Sequence, residues 1–548
     1  MQEQFVKLQE IFKINPLYEA DGYKIGHKDM LASNTTREYW TWIPRSVKYM
    51  HPSITEVMSA GQQIVVRYLH STFQEFFFNK SIDEAERFAR DMSKYLMIDY
   101  NGEHFCQLHK LGYLPIKIQA LPEGIFTKPN VPHMAGINTL DGYAWLGLFL
   151  ETMISKTAWQ TSTAATISNR FKKNAVEWVK KTDENNLWLA DFMCHDFHSR
   201  GGNPFTSIAV GLGHAMSNSG SDTLNVIPAS RYYYDFDENE VPIYSVNASE
   251  HSVTCTGIFY YQDLLKQGKL DKEIEWYYSF DLPCDGSIEN PDYLAIAECL
   301  NLRDWLKKFP KGILSIVSDT FDLWKLITYI LPRLKAEIMA RDGKLVIRPD
   351  SGDPVDIICG KKILYEDGSN FNQVKGVIEL LWDIFGGTVN DQGYKVLDPH
   401  IGAIYGDSIT LERQLQIYER LAAKQFAATN IVVGVGSYTY VMLTRDTAGW
   451  AIKGAWFETK EYYLATPESL EWSDITKEFN IYKDPATDSD KVKKSLKGFQ
   501  FVNDNFKVES EVSEEKAFSP ENQLRVIYED GKFYNQTTLT EIRAKLNA

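Results

Sequence analysis

The stretch Leu345–Asp356 reads LVIRPDSGDPVD. Leu345, Val346 and Ile347 form a short apolar run of the kind that makes a buried strand. The run stops at Arg348, Pro349, Asp350, Ser351, Gly352 and Asp353. A guanidinium, carboxylates, a hydroxyl and a turn-permitting glycine are thus held together at a strand terminus. Such a group suits an anionic, hydroxylated ligand such as a sugar phosphate. A polar surface loop with a structural Arg–Asp pair would have the same composition, so the neighbouring segments must decide.

Several segments repeat the pattern. Leu187–Met193 leads into Cys194-His195-Asp196-Phe197, and Ile313–Val317 into Ser318-Asp319-Thr320. Ile401–Tyr405 leads into Gly406-Asp407-Ser408, and Ile431–Val433 into Gly434-Val435-Gly436-Ser437. Helical stretches follow several of these, reaching about Ala340 and Ala423. Strands alternating with helices imply parallel pairing, because a parallel crossover needs about a dozen residues. Ligands in such folds bind at the carboxyl ends of the strands. The expected fold is α/β: an irregular TIM-like α/β barrel over residues 166–444. A second, α+β domain is expected from segments 1–165 and 445–548. A doubly wound sheet is the alternative architecture.

Length and composition agree with that plan. The chain has 548 residues, enough for two to four domains at about 150 residues each. Hydrophobic content of 44% and charged content of 24% are those of a globular protein. The net charge of −15 argues against general nucleic-acid binding, which needs a basic footprint. Six cysteines, at 106, 194, 255, 284, 299 and 359, show no CxxC and no zinc spacing. The N-terminus lacks the apolar core of a signal peptide, and the run Ala144–Leu150 is too short to span a bilayer. A cytoplasmic protein without membrane or nucleic-acid partners is expected.

Other segments read as packing or loops. Ser81-Ile82-Asp83-Glu84 has the form of a capping box, followed by Ala85, Phe88, Ala89, Met92 and Leu96 at helical spacing. Ile167, Phe171, Ala175, Trp178 and Val179 mark a second amphipathic helix. Residues 484–497 read as a mobile basic loop and 503–515 as an acidic loop. The stretch 262–301 contains a Pro- and Asp-rich segment with the character of an insertion.

Taken singly, the remaining polar groups favour structural roles. Arg200 beside Gly201-Gly202 is either a surface arginine on a turn or, with a helix from Phe205, a phosphate contact. Asp222, in Gly220-Ser221-Asp222-Thr223, could simply cap a helix. His251 follows Glu250. Arg445, Lys453, Lys483 and Lys491 are individually solvated cations, but together could neutralise a polyphosphate. The absence of GxxxxGK[ST], HExxH and GxSxG disfavours P-loop kinases, zinc proteases and α/β-hydrolases.

In order along the chain, the motifs resemble the nicotinamide phosphoribosyltransferases, which are dimeric type II phosphoribosyltransferases. The resemblance begins at Asp21-Gly22-Tyr23-Lys24-Ile25-Gly26-His27. It runs through His195-Asp196-Phe197, Arg200-Gly201, Gly220–Thr223, Ser249–Ser252 and Val317–Asp319. Arg348–Gly352, Gly406-Asp407, Thr444–Asp446 and Lys483–Pro485 complete it.

The resemblance implies the following roles. Phe197 and Tyr23 of a second subunit sandwich the nicotinamide ring, and Asp222 accepts from its carboxamide. Arg348 contacts the amide oxygen and the product phosphate, while Arg200 and Gly436 lie near the 5′-phosphate. Asp350, Gly406 and Asp407 hold the ribose. Asp319 and Asp350 position Mg²⁺ with pyrophosphate. Arg45, Arg445, Lys453, Lys483 and Lys491 supply phosphate-binding charge, partly across a homodimer interface. His251 is the histidine phosphorylated by ATP, a co-substrate that enhances synthesis.

The resemblance therefore implies formation of nicotinamide mononucleotide and pyrophosphate from nicotinamide and 5-phosphoribosyl 1-pyrophosphate, in NAD salvage. Asp222 implies preference for nicotinamide over nicotinate. The alternatives are a nicotinate phosphoribosyltransferase, another barrel enzyme of sugar phosphates such as an aldolase, and a non-catalytic binding protein on the same fold. Two departures stand out. His198-Ser199 replaces the family's Gly-Tyr, and Gly434–Ser437 has fewer glycines than usual. Extra length is expected near 98–113, 262–300 and the C-terminus.

Overall fold

The computed structural model describes residues 14–32, 34–361, 371–406, 408–461, 475–488 and 493–547. Asp407 and Lys491 therefore lie outside the described residues. The chain divides into two compact units. One comprises the described residues to Ile167, with Ile227–Val241 and the chain from Leu443 onward. The other is Ser168–Val226 with Pro242–Met442.

The first unit is built on an antiparallel sheet of seven strands. An inner strand, Thr35–Ile43, reads TTREYWTWI, a run of aromatic and β-branched residues suited to a pleated surface. It pairs with Ala451–Glu461 on one side and Met134–Asn138 on the other. Trp42 stacks on Trp450 with ring centroids 3.9 Å apart and planes 7° from parallel. Both rings are fully buried. Such a pair contributes about 0.5–1.5 kcal/mol beyond the area it buries.

The second unit is the α/β barrel. Its strands are β1 (Cys194–Asp196), β2 (Gly220–Ser221), β3 (Asn247–Ala248), β4 (Leu314–Val317), β5 (Leu345–Arg348), β6 (Ile401–Tyr405) and β7 (Ile431–Val435). They form one sheet in the order β2-β1-β7-β6-β5-β4-β3, and every pairing is parallel. The sheet curls. Tyr244 bridges to Gly220 of β2 while Asn247–Ala248 pairs with β4, so the segment 244–248 links the two edges.

The interior is hollow. Ile313, Ser315, Lys344, Val346, Arg348, Gly402, Ile404, Asn430 and Val432 line a cavity of about 420 Å³. Val346 and Arg348 of β5, with Lys344 just before it, share that inner face, as the two-residue strand period requires.

Three local expectations are corrected. Leu187–Met193 is not a strand: residues Glu184–Asp191 form a 3₁₀ helix, anchored where Asn186 donates to the Asp183 carboxylate. A short apolar run has no periodicity that separates these outcomes. Residues 503–515 are not a loop, because Phe499–Val502 and Val508–Val512 form a hairpin and Glu514–Ala517 a helical turn. Asn503 Oδ1 closes the hairpin by accepting from Asn505 and Lys507 backbone N–H. Ser81 does not form a capping box; the helix is Asp83–Leu96, and Ser81 Oγ accepts from Asp83 N at 3.3 Å. The stretch 262–301, read as having the character of an insertion, contains the helix Asp271–Tyr278 and the start of the helix Tyr293–Lys308.

Candidate active site

Each strand of the barrel delivers polar groups at its carboxyl end. After β1 the chain enters a 3₁₀ turn, His198–Gly201, and then the helix Pro204–Ala215, whose start is capped by Asn203 Oδ1 accepting from Thr206 N at 2.9 Å. Phe197 sits at the head of that turn, half-buried, with its N–H bonded to Val435 O at 2.9 Å. Gly434 is required beneath it. A Cβ there would stand 2.7 Å from the Phe197 ring and 2.9 Å from Gly406 Cα.

Asp222 follows β2. Its Oδ1 accepts from His195 Nε2 at 3.0 Å and from the Ser245 hydroxyl. Burial would raise its pKa, but the His195 and Ser245 hydrogen bonds and the charges of His195 and Arg348 hold it below the usual carboxylate value. Among the described residues its carboxylate bonds to His195 and Ser245 rather than to a helix N-terminus.

The segment LVIRPDSGDPVD folds as read. Arg348 ends β5, and its Nη2 donates to Ser249 O at 2.5 Å while its buried Nε has no hydrogen-bond partner among the described residues. Asp350 N and Ser351 Oγ both donate to Asp319 Oδ2, at 3.0 and 2.5 Å. Gly352 takes φ +90°, the left-handed conformation that glycine tolerates best. Asp353 acts only locally, where its Oδ1 caps the helix Pro354–Cys359 by accepting from Val355 N and Asp356 N.

Asp319 follows β4 and is nearly buried. Its Oδ1 has no hydrogen-bond partner among the described residues, although His251 Nε2 lies 3.8 Å away. His251 opens the helix His251–Lys266, is about half-exposed, and pairs through Nδ1 with Thr320 Oγ1 at 3.1 Å.

Together Phe197, Arg200, Asp222, His251, Arg348, Asp350 and Gly406 line one open cavity of about 790 Å³. It shares Phe197, Asp222, Ala248 and Arg348 with the hollow inside the barrel. Arg200 is exposed at its rim. Gly436 follows β7 directly, and a Cβ placed there would meet nothing within 4 Å. Ser245 belongs to this site yet carried no sequence signal of its own. Ser245 and Ser249 act through contacts to residues 23 and 99 positions away.

The remaining expected residues lie in the antiparallel unit. Tyr23 is 65% exposed. Arg45 Nε donates to Gly449 O at 2.6 Å, and its pKa is lowered by burial and then by Arg445. Burial also lowers the pKa of Lys453, with the charges of Arg45, Lys483 and Lys24 acting the same way against Glu151. Four of the expected cations therefore share one field within this unit, an arrangement suited to a polyanion.

A model of the nicotinate phosphoribosyltransferase family matches residues 293–531. The nicotinamide phosphoribosyltransferase of Acinetobacter baylyi is 35% identical over 98% of this chain and 97% of its own length. That of Mycoplasma pneumoniae is 29% identical over 89% of this chain and 96% of its own. The crystal structure of human nicotinic acid phosphoribosyltransferase shares the fold, with a TM-score of 0.54 at 14% identity, covering 96% of this chain and 92% of that one. The fold is that of a phosphoribosyltransferase. By its full-length identity to the bacterial relatives, the chain belongs to the nicotinamide phosphoribosyltransferase family.

Proposed function

We propose that this protein joins nicotinamide to 5-phosphoribosyl 1-pyrophosphate, releasing pyrophosphate and nicotinamide mononucleotide for NAD biosynthesis. The observation that carries this reading is Asp222, an ionised carboxylate beside the Phe197 ring in the shared cavity. A carboxylate accepts from a carboxamide N–H but repels the carboxylate of nicotinate. The bacterial relatives are named for nicotinamide and the family model for nicotinate. Asp222 favours nicotinamide.

In the reaction, the pyridine nitrogen attacks C1 of the ribose as the bond to pyrophosphate breaks. Phe197 stacks on the base and Asp222 orients its amide, so the nitrogen faces the sugar. Positive charge grows on the ribose as pyrophosphate departs, and the Asp350 carboxylate beside Gly406 is suited to stabilise it. Arg348 and Arg200 are suited to the amide oxygen and the 5′-phosphate. Asp407 completes the ribose contacts in this reading.

Mg²⁺ fits the residues present. Asp319 offers a buried oxygen without a hydrogen-bond partner among the described residues, and Asp350 a second carboxylate. Magnesium needs only one or two protein carboxylates when substrate phosphates complete its shell. When bound, it would neutralise charge on the departing pyrophosphate.

The enzyme acts as a homodimer in this account. Exposed Tyr23 covers the second face of the base, and Arg45, Arg445, Lys453, Lys483 and Lys491 reach the phosphates, partly from the second subunit. ATP phosphorylates half-exposed His251, beside Asp319, and enhances synthesis. No helix among the described residues is long and apolar enough to cross a membrane, and the proposed location is cytoplasmic.

The test is formation of nicotinamide mononucleotide from labelled nicotinamide and 5-phosphoribosyl 1-pyrophosphate with Mg²⁺. Product is expected, with ATP stimulation lost in His251→Ala. No product with either pyridine base would refute the assignment.

A further inference from the structure

We propose that Asp196 is a positioning residue that locks the base platform to the amide-reading carboxylate, and so sets the choice between pyridine bases. The inference rests on the roles given above to Phe197 and Asp222.

Asp196 ends β1 and is wholly buried. Its Oδ1 accepts from His198 N at 3.0 Å and from His198 Nδ1 at 2.6 Å. Its Oδ2 accepts from Ser221 Oγ at 2.9 Å and Thr223 Oγ1 at 2.7 Å. Its main-chain oxygen accepts from Asp222 N at 3.0 Å. One oxygen therefore holds the turn that begins at Phe197, and the other holds the residues on both sides of Asp222. A carboxylate has about four acceptor positions, and all are used.

Burial alone would raise the Asp196 pKa. The charge and hydrogen bonds of His198, with the charge of His214, hold it well below the usual carboxylate range. The group is therefore an anion whose donors all come from two strand-end loops. His198 is also where this chain departs from the Gly-Tyr of the family it resembles. Here that departure supplies the second donor to Asp196 Oδ1, and its ring stands edge-on to Tyr440 at 6.1 Å.

Asp222 itself is held from two directions. His195 and Ser245 occupy its Oδ1, and Asp196 fixes its backbone. With one oxygen and the backbone set, Oδ2 has little freedom in where it meets a base. Loosening the Asp196 side should blur amide recognition without removing the carboxylate.

The test uses steady-state kinetics of the full-length enzyme with nicotinamide and with nicotinate. Thr223→Val keeps the methyl that packs near Gly211 and removes one hydroxyl from Asp196. It should lower the nicotinamide-to-nicotinate ratio of kcat/KM by about tenfold, through nicotinamide KM, with phosphoribosyl pyrophosphate KM within about twofold. Thr223→Ser should restore the ratio. His198→Asn should raise KM for both bases together, because ring stacking does not read the carboxamide. If Thr223→Val leaves the ratio unchanged and only lowers Tm, Asp196 is structural and the inference fails. If Asp222→Ser also leaves the ratio unchanged, the reading of Asp222 falls with it. An altered ratio in Asp222→Ser alone overturns only the role of Asp196.

Discussion

His195 and Asp222 stand 27 residues apart in the chain and meet at 3.0 Å, Nε2 to Oδ1, across the ends of adjacent strands. The same His195 ring lies 4.6 Å from the Phe197 ring at 37°. The group that orients the carboxylate thus adjoins the proposed stacking surface for the base.

Replacing that carboxylate should change which base is used. Asp222→Ser removes the negative charge and leaves a hydroxyl that accepts from an amide or donates to a carboxylate. Nicotinamide kcat/KM should fall and nicotinate kcat/KM rise, shifting their ratio by about a hundredfold. The parent enzyme should keep its preference down to about pH 5, because the Asp222 pKa is held below the usual carboxylate value and the group stays charged there. Paired kinetics at about pH 5 and pH 8 measure both effects.

The platform should be as sensitive as the reader. Phe197→Ala should raise nicotinamide KM by about ten- to a hundredfold, the range expected for losing a base–aromatic stack. Gly434→Ala leaves every polar group in place but puts a Cβ against that ring. It should raise KM for both bases and, because the same Cβ stands 2.9 Å from Gly406 Cα, also lower the midpoint of thermal unfolding. A Gly434→Ala enzyme with unchanged KM would show that the ring does not have to lie where Gly434 lets it.

Arg348→Lys keeps the charge and loses the planar fork. The guanidinium donates through Nη2 to Ser249 O, and its buried Nε has no hydrogen-bond partner among the described residues. One ammonium cannot serve both directions. We expect kcat/KM to fall by about a hundredfold or more for either base, with circular dichroism unchanged.

Glu38 gives a pH-dependent stability change in the antiparallel unit. Burial pushes its pKa up to about 8, with Lys24 acting against that and Glu151 with it. The unfolded carboxyl ionises near 4.5. Between those values the folded protein binds a proton that the unfolded chain has released, so stability falls as pH rises through the window. Glu38→Gln should therefore raise Tm by several degrees at about pH 8 and leave it nearly unchanged at about pH 5. Equal shifts at both pH values would contradict this assignment.

The strand ends of the barrel were legible because their signal is local. In Leu345–Arg348, Ile401–Tyr405 and Ile431–Val435, β-branched residues run into glycine, aspartate or arginine within a few positions. The segment before Cys194 has the same apolar look and folds as a 3₁₀ helix, since a run of that length lacks a diagnostic period. Partners were harder to read than positions. Nothing near Ser245 announces its bond to Asp222, because it depends on a contact that only the fold creates. Asp196 was visible as part of a motif, but its role as a shared acceptor was not.

The most direct test of the account is the ratio of kcat/KM for nicotinamide and nicotinate in the unaltered enzyme, with saturating phosphoribosyl pyrophosphate and Mg²⁺. A site that pairs Asp222 with a carboxamide should favour nicotinamide by about a hundredfold or more. Equal or better use of nicotinate would contradict it.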